Sequence, residues 1–177
     1  MIRPTVKPKR PEFSSGPCAK RPHWSLDLLK NSTLGRSHRH KIAKSKLQNI
    51  IDLTKSVLNI PKEYLIGIVP GSDTGAIEMS MWNLLGPRPI NILVWDSFSL
   101  DWAKDIQSQL KLTNIEIFQV DYGKLPNLMN EFEGDIVFNW NGTTAGVCVP
   151  NANWINVARN GLTICDATSA AFAMDID

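Results

Sequence analysis

The hydrophobic pattern divides the chain into one polar-faced helix followed by an alternation of short apolar runs and helical stretches. Between His40 and Leu58 the residues Ile42, Leu47, Ile50, Ile51, Thr54 and Leu58 recur at helical spacing. Lys41, Lys44, Lys46, Gln48 and Lys55 take the other face, and Pro61 closes the region. Beyond it the spacing predicts a strand at Leu65 to Val69 with a helix to Leu85, a strand at Ile90 to Trp95 with a helix to Leu110, and strands at Ile115 to Val120, Asp135 to Trp140 and Leu162 to Asp166. Several of these runs are apolar throughout and do not alternate, which suits strands buried on both faces by crossover helices. The expected fold class is therefore α/β, a mainly parallel sheet with flanking helices.

Prolines 4, 8, 11, 17 and 22 fix φ and remove donors, so residues 1 to 22 are expected as an extended arm. The division expected is an arm with an anion-binding segment over 1–39 and one α/β domain over 40–177. The apolar stretch Ala170 to Ile176 carries no capping signal, and the chain reads as interrupted there.

Composition narrows the function classes. At 177 residues with 43% hydrophobic and 20% charged side chains, a globular domain with a real core is expected. A formal charge of +2 gives no nucleic-acid footprint. Cys18, Cys148 and Cys165 form no CxxC pair, and there is neither an apolar run of about 20 residues nor a secretory h-region, so a reduced cytoplasmic setting without membrane association is expected.

In an open α/β sheet, ligands sit outside the carboxyl ends of the strands, so the loops after each apolar run are where chemistry is sought. Pro70-Gly71-Ser72-Asp73-Thr74-Gly75-Ala76 combines turn-forming glycines, a helix start and two hydroxyls. It can be a cup for a phosphate monoester or simply an N-capped turn, and it lacks the P-loop lysine. Phe98 and Trp102 follow the second run, where an aromatic can stack on a planar ring or pack beneath the sheet. Asn139 to Gly146 gathers amides and hydroxyls at a strand end, a pattern of turns as well as of polar sites. Asp166 ends an apolar strand, and a carboxylate there is costly to desolvate unless it meets a cation or a donor. Gly35-Arg36-Ser37-His38-Arg39-His40 gathers guanidinium groups suited to anions, although a solvated basic loop has the same composition. Its histidines lack the further ligands of a zinc site.

Taken in order, these segments resemble the phosphoserine aminotransferases. The resemblance runs through Phe13 to Pro22 (FSSGPCAKRP), Gly35 to Arg39, Val69 to Ala76, Trp140 to Thr144 and Gly161 to Ala170. It implies the large domain of a fold-type I enzyme that is dependent on pyridoxal phosphate and homodimeric when intact. It also implies the activity: moving an amino group between glutamate and 3-phosphohydroxypyruvate in serine biosynthesis, with phosphoserine and 2-oxoglutarate on the other side of the exchange. By position, Asp73 and Thr74 would contact the cofactor phosphate, Trp102 would stack on the ring, Thr143 would meet the ring hydroxyl region and Asp166 would pair with the ring nitrogen. His38 and Arg39 would hold the substrate anion. The lysine that binds the cofactor covalently is expected beyond residue 177, so no lysine here is assigned to catalysis and the 177 residues alone are expected to be inactive. A related alanine or serine–glyoxylate aminotransferase and a non-catalytic module are the alternatives.

Overall fold

The computed structural model describes residues 5–6, 20–37 and 39–176. The chain forms two compact units, residues 1–49 and 50–177. In the first, a short 3₁₀ turn at Leu26–Leu29 is followed by a loop that Lys46 braces, its Nζ donating to the carbonyl of Asn31 at 2.8 Å. Helix α1, Lys41–Val57, matches the helix expected from the periodicity, and none of its residues is buried.

The second unit contains a four-stranded, all-parallel sheet among its described residues. Its strands are β1 (Ile90–Val94), β2 (Ile115–Gln119), β3 (Asp135–Asn139) and β4 (Thr163–Asp166), in the order β2-β1-β3-β4. Alternation along the strands sorts side chains into two cores. Ile90, Ile92 and Val94 of β1, Val137 of β3 and Ile164 of β4 face a cluster with Met81, Trp102, Ala103 and Ile106. Leu93, Trp95, Ile136 and Phe138 face the other, with Phe132, Trp140 and Val149. Burying each such aliphatic side chain contributes roughly 1.5–3 kcal/mol.

The two faces are covered differently. Helices α2 (Asp73–Leu84) and α3 (Ser97–Lys104), the latter prolonged by a π-helical turn at Asp105–Gln109, supply the first core. The second is covered by the irregular connections β2 to β3 and β3 to β4, through Leu125, Leu128, Val147, Trp154 and Ile155. Crossover helices on both faces were expected; here irregular chain does the same work on one of them, with Trp154 packed edge-on against Phe132 and Phe138.

One expected strand is absent. Residues 65–69 form no strand, and Leu65 is 96% exposed. A strand exists through hydrogen bonds to a neighbour, and no described strand lies alongside this apolar run. Its composition was read correctly as β-type; its pairing was not.

At the amino edge of the sheet a polar lock fixes the strands in register. The fully buried Asp135 accepts from Arg88 Nε at 2.6 Å and from the backbone N–H of Leu162 at 2.7 Å, tying the entries of β1, β3 and β4 together. Arg159 continues it, donating to the carbonyls of Gly134 and Leu162 at 2.7 and 3.0 Å. Gly161 passes so close to Gly134 that an added Cβ would lie 1.7 Å from its carbonyl oxygen.

Candidate functional site

At the opposite, carboxyl edge the polar residues converge. The chain leaves β1 in one direction to β2 and then returns past β1 to reach β3, so the winding reverses between β1 and β3, the place where open α/β sheets receive ligands. Three strand ends contribute polar residues there.

Asp166 closes β4, in register with Asn139 of β3. Its Oδ2 accepts from the indole Nε1–H of Trp102 at 3.2 Å and its Oδ1 from the backbone N–H of Thr168 at 3.0 Å. An ionised carboxylate has about four lone-pair directions, so a further donor can still be received. Trp102 itself is only 3% exposed and packs in the first apolar cluster, so it reaches the site through its N–H edge. Phe98, on the same helix, keeps 42% of its surface exposed.

Thr143 stands on the loop after β3. Its Oγ1 shares a hydrogen with Ser169 Oγ at 2.7 Å, and Ser169 Oγ in turn donates to Asn141 Oδ1 at 3.2 Å, which joins the β3 loop to the segment after β4. Neighbouring Cys165 is drawn into the sheet, and burial, with the nearby Asp166 charge adding to the effect and a backbone hydrogen bond at Trp140 opposing it, pushes its thiol up to about 12.

Asp73 and Thr74 open α2. The C-terminus of that helix sits at the amino edge, where Arg88 Nη2 donates to the Leu84 carbonyl at 3.5 Å. The helix also packs against β4. Gly71 takes φ +107° to make the turn, and Ser72 at the N-cap makes no side-chain capping bond. The first N–H groups of α2 and the exposed hydroxyls of Ser72 and Thr74 are thus directed outward rather than spent on the cap.

Trp102 and Asp166 are therefore in contact and Thr143 lies on the same edge, while Asp73 and Thr74 are exposed at the start of α2. Arg39 is exposed in the first unit, its backbone N–H on Ser37 Oγ at 3.2 Å, and His38 lies outside the described residues. Among the described residues no group of three or more His, Cys, Asp or Glu could hold a metal ion.

Sequence reading passed over Asp96. It is 2% exposed, and its carboxylate receives Ser99 N and Oγ at 3.0 and 2.9 Å, Asn139 Nδ2 at 3.5 Å, and Thr144 N and Oγ1 at 3.4 and 3.3 Å. The available signal was an aspartate directly after an apolar strand with a serine three residues on, the spacing of a capping box, which α3 indeed has.

A parallel α/β sheet with its polar groups gathered at the carboxyl edge of the strands is the arrangement in which open α/β folds bind ligands. A solved structure of phosphoserine aminotransferase from Trichomonas vaginalis, with pyridoxal phosphate bound, superposes with a TM-score of 0.53 over 73% of this chain and 38% of that one, at 15% identity. No protein-family model matches. Sequence relatives are much nearer: phosphoserine aminotransferases of Methanosarcina mazei and Methanosarcina barkeri are 56% and 55% identical over 176 residues, 99% of this chain. Over nearly its whole length the chain is thus similar to phosphoserine aminotransferases, and it spans about half the length of these curated relatives, 48% of each.

Proposed function

We propose that this chain supplies the cofactor-binding part of a phosphoserine transaminase, which exchanges an amino group between glutamate and 3-phosphohydroxypyruvate and works with pyridoxal phosphate as a homodimer in the cytoplasm. The observation that carries the reading is the carboxylate of Asp166, held at the end of β4 by Trp102 and Thr168 with acceptor capacity left over.

The residues fit the cofactor's chemistry. A helix start whose N-cap hydroxyl is unspent suits a phosphate dianion, so Asp73 through its backbone N–H and Thr74 through its hydroxyl would hold that group. Thr143 would meet the ring hydroxyl region. Asp166 would accept the ring N–H and keep that nitrogen protonated, since a nearby carboxylate favours the charged form. When bound, the cofactor supplies an electron sink for the substrate's amino carbon. Trp102, whose indole is buried in the first apolar cluster, would act through its N–H edge, holding the Asp166 carboxylate in place, rather than by stacking on the ring. His38 and Arg39 would take the substrate's anionic groups, for which a guanidinium is suited. Cys148 and Cys165 are both free thiols, in keeping with a reducing compartment.

The reading is tested by assaying the full-length protein with 2-oxoglutarate and phosphoserine, alanine or serine as amino donor. Phosphoserine should exceed the others in kcat/KM by at least about a hundredfold, since loss of paired phosphate contacts costs about 3 kcal/mol or more. Equal rates would remove the substrate assignment and favour a glyoxylate-type aminotransferase.

A further inference from the structure

Asp96 lies two residues past the end of β1, at the edge where the winding reverses, and it is buried together with Ser99 and Asn139. Its two carboxylate oxygens do different work. Oδ1 accepts from Ser99 N and Oγ, capping α3, and from Asn139 Nδ2 at the end of β3. Oδ2 accepts from the N–H and hydroxyl of Thr144, in the loop after β3. Thr144 also meets Ser97 Oγ at 3.3 Å and Tyr122 OH at 3.4 Å, so the ends of β1, β2 and β3 meet at one loop residue. The residue before it is Thr143, whose hydroxyl is tied to Ser169 three positions beyond Asp166.

We propose that Asp96 is a positioning residue: by holding Thr144 it fixes the 141–146 loop, and so sets where Thr143 stands relative to Asp166. The inference rests on the cofactor reading for its functional consequence, not for its structural part. Each bond to Thr144 is long, at 3.3–3.4 Å, and the buried negative charge shared among several donors is what makes the set effective. Asn139 is held in one orientation by the same group, because reversing its amide would set oxygen against the carboxylate; its Oδ1 is buried without a partner among the described residues. That places an uncommitted acceptor between Asp96 and Asp166.

The test compares Asp96→Asn, Thr144→Val, Thr144→Ser and Ser99→Ala in the full-length protein. Amide hydrogen exchange over 141–146 is measured without cofactor, and pyridoxal phosphate affinity by fluorescence quenching. Asp96→Asn keeps the shape but sets an NH₂ against one of its donors. It should speed exchange in the loop and raise the cofactor Kd by about tenfold, the loss of one charge-assisted bond. Thr144→Val should do the same more weakly, and Thr144→Ser should restore both readouts. Ser99→Ala removes the hydroxyl's bonds to Asp96 and to the backbone N–H groups of Trp95 and Asp96 but leaves Oδ2 to Thr144, and should lower Tm without moving the Kd. Unchanged loop exchange in Asp96→Asn, or an equal rise in Kd in Ser99→Ala, would overturn the proposal. If the unmutated protein binds no pyridoxal phosphate, the cofactor reading fails, while loop exchange still decides the role of Asp96.

Discussion

Asp135 shows how much a single buried charge can decide. It is fully buried, Oδ2 has no partner among the described residues, and its compensation comes from Arg88 and the Leu162 N–H. Arg88→Leu would leave that carboxylate with one donor, and urea unfolding should show a loss of about 3 kcal/mol. Cys165 carries a pH dependence. Its folded pKa is raised from 9.0 to about 12, so the unfolded chain ionises first. The stabilising contribution is complete below pH 9 and is lost as pH rises through the window up to about 12, with a slope approaching roughly 1 kcal/mol per pH unit. Thermal melts between pH 8 and 10.5 should therefore fall more steeply for the unmutated protein than for Cys165→Ala. At Trp102, Trp102→Phe keeps an aromatic ring in the core and removes the donor to Asp166. Weakening of cofactor affinity by about three- to tenfold is expected if the N–H matters, the usual worth of one hydrogen bond.

At the scale of elements, β3 and β4 are set by the close passage of Gly134 and Gly161. Gly161→Ala would force the β4 entry away from β3 and should destabilise by about 3 kcal/mol, read as a drop in the urea midpoint. The elements themselves were largely legible in the sequence: apolar period and turn residues locate α1 to α3 and β1 to β4 within a few residues, because those signals are local. Pairing is not local. Leu65 to Val69 reads as a strand by composition yet finds no neighbour, and the face covered by irregular chain looks from the sequence as though it needs helices. At the site, Asp166, Thr143 and the start of α2 were visible as polar residues at strand or helix ends. Asp96 was not, because a buried aspartate after a strand looks like an ordinary cap until Thr144, 48 residues away, is seen to donate to it.

For the whole molecule, the sheet's polarity separates two tasks. The amino edge, with Arg88, Asp135, Arg159 and the paired glycines, fixes the strands; the carboxyl edge gathers Asp96, Thr143, Thr144 and Asp166. Substitutions at the amino edge should therefore shift stability and leave cofactor affinity per folded molecule nearly constant, whereas Thr143→Val and Asp166→Ala should shift affinity. The central claim is that Asp166 is the partner of the cofactor ring nitrogen, and its most direct test is Asp166→Ala in the full-length protein, titrated with pyridoxal phosphate and assayed with phosphoserine and 2-oxoglutarate. The account predicts a folded protein whose kcat falls by a hundredfold or more, about 3 kcal/mol of lost transition-state stabilisation. A folded Asp166→Ala protein with kcat and cofactor affinity unchanged would contradict it.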